Sequence, residues 1–123
     1  MASTAKTAVE GAREAAIARV AAYVTDHPEA FHAQQDLADL AAMNTRTFSQ
    51  VFLAVMGVGV KAFVRSVRVA RAKQLLDDTD LSVAQVMRRS GFASTDAGRR
   101  AFLSVEQVAP MNYRSRLRDI PDE

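Results

Sequence analysis

The chain has no cysteine among its 123 residues. That excludes a disulfide scaffold, a thiolate zinc site and a cysteine nucleophile, and it suits a reducing cytoplasm. No apolar run approaches the ~18 residues that a spanning helix needs, and the N-terminus lacks a signal-peptide core. A soluble cytoplasmic protein without a membrane partner is expected. The P-loop, the nucleophile elbow and the dinucleotide fingerprint are all missing. His27 and His32 are isolated from any spaced carboxylate. No metal site, no cofactor and no catalytic residue is therefore expected, and an enzyme is not.

Acid is also missing where it matters. Residues 1–39 carry three basic and six acidic side chains, but none of the residues between Asp39 and Asp77 is acidic. That stretch holds Arg46, Lys61, Arg65, Arg68, Arg71 and Lys73, and the last third adds Arg88, Arg89, Arg99, Arg100, Arg114, Arg116 and Arg118. The formal net charge is only +2, so the distribution carries the information. It suits a polyanionic partner, but a solvated helix face is the commoner use of one such run, so the patch alone does not decide function.

Apolar residues make up 49% of the chain, enough for a packed core. The length fits one domain, or two small halves sharing a linker. Apolar residues recur at three and four, and strand-like alternation is missing, so the expected class is all-α. Ile17, Val20, Ala21 and Val24 form a stripe that His27-Pro28 closes. Leu37, Leu40 and Ala41 begin a short helix. Asn44 caps a third, with Phe48, Val51, Phe52 and Val55 inward, which Gly57 and Gly59 end. A long helix over 60–76 would place Phe63, Val67 and Ala70 on one side and Arg65 and Arg68 on another. Ser82 caps the helix of Val83, Val86 and Met87, which stops at Gly91. Ser94 caps the next, and Pro110 opens the last.

The chain also repeats itself. Phe52-Leu53-Ala54-Val55 aligns with Phe102-Leu103-Ser104-Val105 at an offset of 50, and Phe63 aligns with Tyr113. Upstream the offset is 49, pairing Leu37 with Val86 and Met43 with Phe92. Each copy is a short helix, a tight turn, a capped second helix and a glycine or its substitute, which is the helix-turn-helix layout. The expected division is a tail or linker (or a fraying first helix) over 1–14, a first subdomain over 15–59, the linker helix 60–76, a second subdomain over 77–120, and a tail over 121–123. About seven helices result, with recognition helices near 45–56 and 95–105.

With these residues in place, the chain resembles the AraC/XylS family of bacterial transcription regulators from about Ile17 to Leu117. Met43-Asn44-Thr45-Arg46-Thr47-Phe48, Phe52 and Gly57 look like its first motif. Asp80-Leu81-Ser82-Val83, Gly91-Phe92, Arg100-Ala101-Phe102 and Pro110 with Tyr113-Arg114 look like its second. The resemblance implies two recognition helices in successive major-groove segments of double-stranded DNA, with RNA polymerase as a further candidate partner. A linker of that length is ~25 Å long, which can separate two readers by about one duplex turn. The family's separate effector or dimerisation domain is not in this sequence, which would make it a fragment or a short stand-alone member.

On the first recognition helix, the side opposite the apolar stripe presents Thr45, Arg46, Ser49 and Gln50. Arg46 can chelate a guanine edge and Gln50 an adenine edge. The family pattern puts Arg46, Ser49 and Gln50 at base-reading positions. Their counterparts on the second helix are Thr95, Asp96, Arg99 and Arg100. Asp96 can accept from cytosine, or serve as an acid near the helix N-terminus. Asn44, Thr45, Arg65 and Ser94 are candidate phosphate contacts, with capping a sufficient role for Asn44 and Ser94. Arg68 matches a family arginine that ties the linker helix to the fold.

The second copy departs from that pattern. Gly98 stands where a large apolar residue is usual, Glu106 replaces an aromatic, and Gln107 replaces the glycine of the left-handed turn. Met87 replaces a small alanine and could refill part of the gap. Loose packing of the last helices is one expected consequence. Loss of operator binding, leaving a protein-interaction module or decoy, is the other.

Overall fold

The structure is a computed structural model that describes residues 2–118, with side chains described within residues 7–116. Seven helices follow one another: α1 Ala2–Asp26, α2 Gln34–Leu40, α3 Thr45–Met56, α4 Val60–Asp78, α5 Val83–Arg89, α6 Thr95–Glu106 and α7 Pro110–Arg118. No strand occurs among the described residues, and no single helix there is long and apolar enough to cross a membrane. The stretch 2–14 is the first half of α1. The expected tail at 121–123 lies outside the described residues. The chain forms two compact units, one holding the residues through His27 with Phe31–Val64, the other Pro28–Ala30 with the residues from Arg65 on.

In the first unit, Ile17, Val20 and Val24 of α1 are buried with Leu37 and Ala38 of α2 and Phe48, Val51 and Phe52 of α3. Full burial of each large apolar side chain contributes about 1.5–3 kcal/mol. Phe48 and Phe63 each meet Phe52, at ring-centroid distances of 5.7 and 5.5 Å. Val55, expected on the inward stripe, is instead 40% exposed. It sits at the edge of a stripe that Phe48, Val51 and Phe52 already fill. In the tight turn, Ala42 adopts a left-handed φ of 57°, at the position matched by Gly91 in the second copy.

The second unit buries Val69, Ala72, Leu75 and Leu76 of α4 with Val83, Val86 and Met87 of α5 and Phe102 of α6. This corrects the expected α4 stripe: Ala70 is exposed. The helix contributes Phe63 to one unit and Val69 onward to the other, so a single stripe cannot describe its whole length. Two arginines tie loops down through backbone carbonyls. Arg68 donates to Pro28 O (3.0 Å) and Ala30 O (2.8 Å), in the tying role expected of it, and burial lowers its pKa. Arg114 donates to the carbonyls of Leu76 (3.2 Å), Thr79 (3.1 Å) and Leu81 (2.5 Å). It thereby closes the C-terminal end of α4, where carbonyls lack helical partners. Gly91, at φ 99°, lies so close to residues 28–30 that a Cβ there would stand 2.2 Å from Pro28 O.

The expected weak points of the second copy are filled. Gly98 is buried, and a Cβ on it would lie 2.6 Å from both Cγ and Sδ of Met87. Met87 itself is fully buried. The first copy has Ala38 and Phe48 at these two positions, the second Met87 and Gly98. The large and small partners have changed sides, and the gap expected from losing an aromatic is closed by methionine. Gln107 takes the left-handed conformation at φ 62°, its side-chain amide donating to Ser104 O at 2.9 Å. Glu106 reaches Lys73 of α4 at 2.5 Å, and the Lys73 ammonium lies 5.6 Å from the Tyr113 ring centroid. Loose packing of α5–α7 is therefore not what the structure has.

Two outcomes follow from this packing. Gly98→Ala should lower stability by up to about 2 kcal/mol, because overpacking against Met87 offsets or exceeds the ~1 kcal/mol propensity gain. Met87→Ala with Gly98→Phe, which copies the first unit, should cost less than the two single changes summed, as urea unfolding would read. The second outcome concerns alkali. The hydrogen bond from Lys73 to Glu106 raises the lysine pKa, and burial raises that of Tyr113. Each group stabilises the fold fully below its unfolded pKa, roughly 10 for both, and loses that contribution as pH rises through its folded value. Stability should decline above about pH 10, and Glu106→Gln should flatten that decline.

Candidate nucleic-acid interface

Both second helices of the two repeats start with a side-chain cap. Asn44 Oδ1 accepts from Thr47 N at 2.8 Å, and Ser94 Oγ accepts from Ala97 N at 3.0 Å. Each cap satisfies one amide that the first turn leaves without a helical partner. Asn44 and Ser94 are exposed, as phosphate contacts need to be, but their side-chain oxygens are already used. Capping is thus their observed role.

On α3, Arg46 and Gln50 are exposed. Thr45 and Ser49 are half-buried, and the Ser49 hydroxyl accepts from the Gln34 side-chain amide of α2. Arg46 and Gln50 are therefore the open polar groups of this face, with Ser49 braced from the preceding helix. On α6, Asp96, Arg99 and Arg100 are exposed and Thr95 is half-buried. Asp96 Oδ2 lies 3.4 Å from Arg100 Nε, an i,i+4 pair with both side chains at least 75% exposed. A pair so open contributes little stability. The pair is made through Nε, so the two terminal nitrogens of Arg100 lie outside it.

Some basic side chains are engaged within the fold, Lys73 with Glu106 and Arg71 with Gln74 among them. Arg68 and Arg114 point into the fold and are spent on carbonyls. Arg46, Arg65, Arg88, Arg89 and Arg99 are exposed, and so is Arg100 beside Asp96. Phe48, Phe52 and Phe102 are fully buried, and Phe63, Phe92 and Tyr113 partly so, which fits core side chains better than base-stacking platforms. No cluster of metal-ligating side chains occurs among the described residues. Two residues of the outward faces escaped sequence reasoning because they are apolar. Leu53 is 54% exposed and Leu103 52%. Helical phase alone would have found them.

The helix-turn-helix domain family model matches residues 37–116, most of both repeats. The chain belongs to the AraC/XylS helix-turn-helix family. Among solved structures, the DNA-binding domain of AdpA, a global transcriptional factor determined in complex with a target DNA, is 32% identical with a TM-score of 0.80. That match covers 83% of this chain and 92% of the other. An AraC-type transcriptional regulator from Chromobacterium violaceum shares the fold, with a TM-score of 0.78 at 19% identity over 86% of this chain and 95% of its own. Regulatory protein PocR of Salmonella typhimurium is 31% identical over 85 residues, which is 69% of this chain and 28% of PocR. The chain spans under a third of the length of the curated relatives it matches first.

The caps give the outcome to test at this site. Asn44→Ala and Ser94→Ala should each lower stability by about 1 kcal/mol, while Asn44→Asp stays within a few tenths. Denaturant unfolding monitored by helical signal reads all three. An unchanged midpoint for both alanine variants would show that the caps do not hold the two helices.

Proposed function

We propose that the chain binds a specific double-stranded DNA sequence in bacterial transcription regulation, α3 and α6 each entering a major-groove segment. The observation that carries this reading is the match to the AdpA domain, solved on its target DNA, over 83% of this chain and 92% of the other. Two outward helix faces bearing Arg46, Gln50, Arg99 and Arg100 supply the chemistry it needs. In this reading Arg46 and Arg100 chelate guanine edges, Gln50 pairs with adenine, and Ser49, Thr95, Asp96 and Arg99 complete the base contacts. Arg65 and Thr45 contact phosphate, joined by Asn44 and Ser94 at the starts of α3 and α6, since helix N-termini favour anions.

The reaction is binding, with no bond made or broken. Its place is the cytoplasm, where bacterial DNA lies. RNA polymerase is the second proposed partner, and in a protein of the relatives' length an effector or dimerisation domain would govern when the reader engages.

Binding-site selection from random duplexes, followed by gel-shift titration at several salt concentrations, tests the proposal. A consensus of two segments about one turn apart is expected, with log affinity falling steeply against log salt. Arg46→Ala and Arg100→Ala should each weaken binding roughly 5- to 150-fold and relax one base position. Arg65→Ala should weaken all sequences alike and reduce the salt slope by about one. Salt-insensitive binding, or full affinity in Arg46→Ala, would overturn it.

A further inference from the structure

We infer that Leu53 and Leu103 are specificity residues, each packing against the 5-methyl group of a thymine in the major groove. The inference rests on the DNA-reading proposal and names a base feature that its polar residues cannot read.

A helix turns about 100° per residue. With Arg46 as origin, Ser49 lies at about −60°, Gln50 at about +40° and Leu53 at about −20°. Leu53 therefore occupies the middle of the polar face, two turns beyond Arg46. On α6 the same angles hold for Asp96, Arg99, Arg100 and Leu103, because the copies align at an offset of 50. The preceding residues, Phe52 and Phe102, are fully buried and fill the core side of each helix. Both are about half exposed, at 54% and 52%.

Single exposed leucines are ordinary on protein surfaces. Two features set this pair apart. They recur at one register in both repeats, and each is surrounded by groups able to hydrogen-bond base edges. In the second unit, Leu103 lines a groove of about 320 Å3 together with Arg99 and Arg100 of α6 and Ala109, Pro110 and Met111 at the start of α7. A protein partner seated there would use Met111 as well, and Met111 is 56% exposed. The first copy, however, has Lys61 at the matching position. What the repeats share is the leucine among polar readers. The thymine methyl is the apolar feature that a major-groove edge offers to such a side chain.

The test removes one methyl group at a time. In the selected duplex, each thymine is replaced in turn by deoxyuridine, and affinities are measured for the unmodified chain, Leu53→Ala and Leu103→Ala. At least one thymine in each segment should lose about three- to five-fold in affinity, the worth of one buried methyl. Leu53→Ala should abolish that sensitivity in one segment and Leu103→Ala in the other. Because both leucines are half exposed, the variants should keep their thermal midpoints, which separates lost contact from lost fold. A selected sequence indifferent to deoxyuridine, or one whose sensitivity survives both alanine variants, overturns this inference alone. If random duplexes yield no preferred sequence, the DNA-reading proposal falls, and this inference falls with it.

Discussion

In the second repeat a short helix meets a longer one at a tight turn, and one large and one small side chain share the space where they approach. In the second unit those side chains are Met87 and Gly98, so close that a single added carbon on the glycine has no room. The equivalent positions in the first unit, Ala38 and Phe48, are both fully buried with the sizes reversed. The outward face of α6 depends on this contact. In the second unit it fixes how closely α6 approaches α5, and hence which α6 residues point away from the core.

The remaining constraints act at the ends of helices. Asn44, Ser82 and Ser94 cap the starts of α3, α5 and α6, Ser82 in a reciprocal capping box with Gln85. Left-handed residues at Gly57 and Gln107 end α3 and α6. Glycine accepts that conformation without cost, whereas glutamine does not. Gln107 adds a side-chain hydrogen bond to Ser104 there. Arg68 and Arg114 play the same kind of part for loops, each donating to two or three backbone carbonyls. A guanidinium suits this because its planar fork offers five donors in fixed directions.

Most of the element order was legible, since caps, glycines and the three-four recurrence of apolar residues are local signals. Pro110 at the first position of α7 and Gly57 just past α3 are examples. The outward placement of Arg46, Gln50, Arg99 and Arg100 was legible for the same reason. Val55 and the α4 stripe were misread, because periodicity gives a face but not how much of that face a neighbour covers. Leu53 and Leu103 were passed over because apolar residues are assigned to the core by default, although their phase places them with the polar readers.

By itself the sequence determined the all-helical class, the tandem repeat, the helix starts and the family, because each is written in residues close together or at a constant offset. The tertiary structure decided whether the second repeat is sound. From sequence, Gly98 meant a missing aromatic and Met87 a misplaced large residue. Their close contact shows the two departures to be one exchange, since buried volume belongs to the pair and not to either residue. It likewise separated arginines bound to backbone carbonyls from those exposed to solvent. Composition counts charges, but only packing decides which of them meet solvent.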